Sequence, residues 1–128
     1  MYKFRLLRAA PFIAALAMVG TAQAHTKLVA SNPVANASVT KTTRISMSFN
    51  EKAMPAFSGA DVVMTRMPGM ATHKPMKLSG LKPSWSDDGK TLTLTAGRAF
   101  PVGTYQVTWH AAGADTHRMQ GNFTFSVK

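Results

Sequence analysis

In the stretch MTRMPGMATHKPM, residues 64–76, Met64, Met67, Met70, His73 and Met76 recur at three-residue intervals. A helix cannot gather them. Steps of three turn about 300° each, so five side chains drift by about 240° around the axis, and Pro68 and Pro75 oppose a helix as well. A polyproline segment aligns them but spaces them about 9 Å apart. Only a curled loop, in which Gly69 takes backbone angles that other residues avoid, lets them converge. Thioether sulfur is a soft, neutral donor that favours Cu(I). Residues 62–86 contain no carboxylate to attract Ca²⁺ or Mg²⁺, while Arg66 and Lys74 repel a hard dication. The stretch therefore reads as a Cu(I) site in preference to methionines filling a core.

A second donor set depends on where the exported chain begins. Lys3, Arg5 and Arg8 precede an apolar run from Ala9 to Gly20, and Ala22 and Ala24 flank Gln23. That is the pattern of a secretory signal peptide over 1–24, and the run is too short to span a bilayer. Cleavage after Ala24 leaves a single domain, residues 25–128, that starts on His25. An N-terminal histidine offers its α-amine and ring Nδ1 together, and two nitrogens with a further imidazole and an oxygen suit Cu(II). In ADTHRMQG, Asp115 and His117 alternate, so on a strand they share a face. Glu51 is a further oxygen donor.

Composition narrows the remaining classes. Removal of three basic residues lowers the formal charge from +10 to +7, leaving a basic domain. No run of Lys and Arg interleaves with aromatics, so a nucleic-acid surface is not indicated. The sequence has no cysteine, so the domain rests on its core and any soft-metal chemistry must come from Met and His.

The elements that position these residues are read as strands. RISMSF turns Ile45, Met47 and Phe49 to one face, which makes Met47 a core residue. ADVVMT, TLTLTA, TYQVTWH and NFTFSV alternate likewise, and turn residues separate them. Five or more strands in one small domain predict an all-β, two-sheet sandwich or barrel of Greek-key type. Residues 66–90 are expected to be irregular. His110 points away from the face of Tyr105, Val107 and Trp109 and is read as a surface residue, while Met54 and Met119 stay unassigned.

The mature start HTKLVASNPVANASV, the SFNEKAMPAFSGADVVMTRMPGM that leads into HKPM, GTYQVTWHAAGADTH and GNFTFSVK together resemble the CopC-type periplasmic copper-binding proteins. The resemblance covers nearly the whole of residues 25–128. It implies a cupredoxin-like or immunoglobulin-like β-fold with Cu(I) and Cu(II) sites near opposite ends. The Cu(I) site takes Met64, Met67, Met70, His73 and Met76, and the Cu(II) site takes His25, Asp115 and His117, with Glu51 at its edge. His110 stands where relatives commonly have Arg, and Met119 where Pro or a β-branched residue is usual. The resemblance further implies a periplasmic carrier, not an enzyme, that exchanges copper with a CopD-type inner-membrane transporter or a multicopper oxidase. The competing reading is a small copper monooxygenase-like enzyme built on the N-terminal histidine chelate, but such enzymes are larger and present a broad substrate face.

Overall fold

The computed structural model describes residues 25–70 and 74–128. The expected signal peptide and His73 lie outside the described residues. Among the described residues nine strands follow in chain order: β1 (Leu28–Asn32), β2 (Ser38–Val39), β3 (Arg44–Phe49), β4 (Gly59–Arg66), β5 (Met76–Lys77), β6 (Lys82–Trp85), β7 (Thr91–Thr95), β8 (Gly103–Ala112) and β9 (Arg118–Val127). One 3-10 turn, Pro55–Phe57, stands between β3 and β4. The strands form a four-stranded sheet, β1-β3-β7-β6, and a five-stranded sheet, β2-β9-β8-β4-β5. All pairs are antiparallel except β2 with β9.

The five alternating segments become β3, β4, β7, β8 and β9. The stretch 66–90 is more regular than expected, because β5 pairs with β4 and β6 with β7. Period-two burial explains the sheets: in β3, Ile45, Met47 and Phe49 are buried and the residues between them are not. These side chains meet Leu92 and Leu94 of β7, Val62 of β4, Tyr105, Val107 and Trp109 of β8, and Phe123, Phe125 and Val127 of β9. Tyr105 stacks on Phe125 with centroids 5.3 Å apart, and Phe49 meets Trp109 edge-on at the same separation. The Tyr105 hydroxyl donates to the Pro101 carbonyl. Each fully buried aliphatic or aromatic side chain contributes roughly 1.5–3 kcal/mol, which is how a domain without cysteine holds together.

The fold gives the domain two poles. β8 and β9 pair continuously from Gly103 opposite Val127 to Ala112 opposite Arg118, so this hairpin runs from one pole to the other. At one pole the backbone joins Asn50 to Lys27, Ala53 to Gly89 and Met54 to Ala112. At the other, Ala96 bonds to Thr43 and Phe100 to Thr42, and Arg66 pairs with Thr104. The first pole carries His25, Glu51, Asp115 and His117. The second carries the methionine stretch.

Candidate metal centres

At the histidine pole the segment before β1 is fixed by the chain that leaves β3. The Asn50 amide side chain donates to the His25 carbonyl at 3.0 Å and accepts from the Lys27 N–H at 2.7 Å. Thr26 is 1% exposed, and its hydroxyl donates to Glu51 Oε1 at 2.6 Å. These bonds hold the backbone that follows His25, whose ring faces His117 of the β8–β9 loop. Its Nδ1 is buried and has no hydrogen-bond partner. A buried polar atom without a partner is costly unless something fills the position.

Asp115 and His117 arrive from the other side, and here the structure corrects the strand expectation. Both lie in the tight loop between β8 and β9, in a turn in which the Thr116 N–H bonds to the Gly113 carbonyl. Thr116 has φ 64°, a left-handed conformation that a β-branched residue rarely adopts. The turn, and no pleat, brings the two flanking side chains together. Asp115 Oδ1 accepts from the His117 N–H at 3.1 Å, and Asp115 Oδ2 lies 3.4 Å from His117 Nδ1. The rings of His25 and His117 are 6.1 Å apart at their centroids. One ligand atom from each of His25, Asp115 and His117 lies within 4.8 Å of the others. Donors at about 2 Å from one ion sit up to about 4 Å apart, so a small inward movement of the exposed Asp115 and His117 completes a three-donor set.

Glu51 does not belong to that cluster. Its carboxylate is engaged with Thr26 and packs against Gly113, where a Cβ would overlap it. Sequence reasoning missed Thr26, Asn50 and Gly113, which carry no ligand chemistry of their own. The one available signal was a glycine at the foot of the loop that bears Asp115 and His117. Glu51→Ala is expected to leave the buried Thr26 hydroxyl unpaired and to lower stability by about 1–3 kcal/mol. Glu51→Gln keeps an acceptor and is expected to retain most of that stability, as urea denaturation of both variants checks.

His110 and Met119 stay outside the cluster as well. Met119 is partly buried against the core. His110 lies across from Gly59 on the outward face of β8. Burial pushes its imidazole below the ordinary range, the charge of Arg118 adds to that effect, and Asp61 opposes it. A depressed imidazole costs nothing above the ordinary value of about 6.5 and destabilises the fold as pH falls below it, where the unfolded chain binds more protons. His110→Gln is therefore expected to flatten the loss of stability between about pH 7 and pH 5.

At the methionine pole the described residues form a tight turn between Met67 and Met70. The Met70 N–H bonds to the Met67 carbonyl at 3.2 Å around Pro68 and Gly69, and Gly69 has φ 79°. Proline followed by a left-handed glycine is the type II turn pattern, which places Met67 and Met70 side by side. Met64 and Met76 are direct partners across β4 and β5, and such pairs hold their Cβ atoms about 5 Å apart. Exposure separates the four. Met70 and Met76 are 52% and 53% exposed, Met67 is half-buried on the core, and Met64 is 4% exposed within it. Met64 therefore packs the interior beneath Met76.

A two-sheet β-sandwich with a histidine and carboxylate cluster at one pole and a thioether loop at the other is the class that fold and site define. The sequence profile of the CopC domain matches residues 28–128, and the chain belongs to the CopC family. Copper resistance protein C of Xanthomonas campestris pv. juglandis is 41% identical over 129 residues, which covers 100% of both chains. Copper resistance protein C of Escherichia coli is 39% identical over 84% of this chain and 85% of its own. The crystal structure of PcoC, a methionine-rich copper resistance protein from Escherichia coli, superposes with a TM-score of 0.74 at 37% identity, covering 82% of this chain and 100% of that one. The structure of CopC from Methylosinus trichosporium OB3b gives 0.64 at 26% identity, over 81% of this chain and 94% of that one.

Proposed function

We propose that this chain is an exported, non-enzymatic copper carrier of the periplasm that serves copper resistance. The buried, unpartnered Nδ1 of His25 beside Asp115 and His117 carries the reading. Cleavage after Ala24 frees the α-amine of that same residue, so the amine and Nδ1 close a chelate on Cu(II). His117 supplies a second imidazole and Asp115 an anionic oxygen, a donor set suited to the tetragonal ion. Glu51 acts at one remove by holding Thr26 and the loop at Gly113. At the other pole Met67, Met70 and Met76 offer exposed or half-buried sulfur to Cu(I), Met64 lies in the interior next to them, and His73, outside the described residues, is a further candidate donor by its place in the sequence. Their neutral donors suit the softer ion of lower charge.

Names of relatives that refer to copper resistance support this cargo, and one related structure is described as methionine rich. Among the described residues no helix is long and apolar enough to cross a membrane. That partner is a CopD-type transporter or a multicopper oxidase.

Copper titration of the processed protein in oxidising and in reducing buffer tests the reading. One equivalent of Cu(II) and one of Cu(I), bound without competition between them, is the expected result. A protein mass that shows residues before His25 overturns the Cu(II) assignment, because the chelating amine is then absent.

A further inference from the structure

Charge is distributed unequally between the poles. The sequence has five acidic residues. Glu51, Asp87, Asp88 and Asp115 lie at the histidine pole, where Lys27, Lys52, Lys90 and Arg118 offset them. Asp61, on β4 opposite Thr108, is paired with Lys77 at 3.1 Å. No carboxylate side chain remains for the methionine pole.

That pole is basic. Lys41 and Arg44 lead into β3, Arg66 ends β4, Lys74 precedes β5, Lys82 begins β6, and Arg98 lies in the loop between β7 and β8. All six are exposed. Arg44 and Lys82 flank the same residue, Thr95, so the row of cations continues across the edge of the four-stranded sheet. Among these cations stand exposed apolar side chains, Met70 at 52%, Met76 at 53% and Val102 at 48%. Apolar tips within a ring of Lys and Arg, with no carboxylate side chain between them, form a surface that anions complement.

We propose that the methionine pole docks on an anionic phospholipid surface. The six cations come from five separate segments and spread over the whole pole, as a laterally continuous layer of negative headgroups requires. A short acidic peptide needs them gathered along one groove. A second copy presenting the same pole is repelled by like charge. The exposed Met70, Met76 and Val102 then enter the headgroup region, which turns the histidine cluster toward solvent. The inference rests on the placement of charge and of exposed apolar side chains, independently of the proposed copper sites.

The test is co-sedimentation of the processed protein with vesicles of equal parts phosphatidylglycerol and phosphatidylcholine, and with vesicles of phosphatidylcholine alone. Binding to the anionic vesicles at low salt, release near 1 M salt where the screening length is about 3 Å, and no binding to neutral vesicles are expected. At roughly fivefold per cation near an anionic surface, the variant Lys41→Gln, Arg44→Gln, Arg66→Gln weakens binding by about 100-fold. The matched variant Lys27→Gln, Lys52→Gln, Lys90→Gln removes equal charge from the other pole and leaves binding within about threefold. Circular dichroism establishes that both fold. If the first does not, Lys74→Gln with Arg98→Gln takes its place. Equal weakening by both sets overturns the proposal in favour of net charge. Binding to both vesicle types, to neither, or to polyglutamate without vesicle binding overturns it as well, the last in favour of an acidic protein partner.

Discussion

Adding one glycine ahead of His25 is expected to weaken Cu(II) binding by at least about 100-fold, the upper end of what even outer-shell changes at metal sites cost. Cu(I) binding should stay within about threefold, since the two donor sets lie at opposite poles and sites that share no partners behave additively. The insertion converts the amine of His25 into an amide, a poor donor, and carries the free amine away from the ring. Nδ1 then binds alone, and Cu(II) loses the entropic advantage of a two-nitrogen arm already oriented by Asn50 and Thr26. Amine and imidazole must both shed protons to bind, so Cu(II) affinity in the native protein should also decline on acidification. Competition titration measures the affinities, and electron paramagnetic resonance follows the nitrogen ligands. An extended protein with native affinity and spectrum would falsify the assignment of His25 as the anchor.

The complementary loss is expected when Met67, Met70 and Met76 are replaced together by leucine. Cu(I) affinity should fall by at least about 100-fold while Cu(II) affinity holds. Met70 and Met76 are half exposed and Met67 is half-buried, so each replacement keeps apolar volume, removes sulfur and costs less than about 1.5 kcal/mol in stability. Met64 is the informative contrast. Its thioether packs against Gly103, so Met64→Leu changes contacts in the core and leaves the accessible sulfur in place. If Met64→Leu abolishes Cu(I) binding in a folded protein while the triple variant keeps it, the surface loop is not the site.

Periodicity made much of the fold legible. Alternating β3, β4, β7, β8 and β9 each expose one face to the core, and hydrophobic burial then fixes their register. The short strands β2, β5 and β6 were not legible, because two to four residues carry no period and form only where a neighbouring edge receives them. The donors of the histidine pole were readable as residue types, but their means of convergence was not. Alternation pointed Asp115 and His117 along a strand, whereas a left-handed Thr116 folds them into a turn. Glu51 was readable as a carboxylate near the site. Its attachment to Thr26 depends on long-range packing that spacing does not encode.

The β8–β9 hairpin has a further consequence for traffic through the molecule. Ten paired residues at about 3.3 Å each hold the two poles roughly 30 Å apart. No side chain spans that distance, and the interior between is filled mostly with hydrocarbon and aromatic rings, with the isolated thioether of Met47 too sparse a donor to relay an ion from pole to pole. On the proposed function, an ion taken up at one end leaves from that end, and exchange between the two sites passes through solution or through a second molecule.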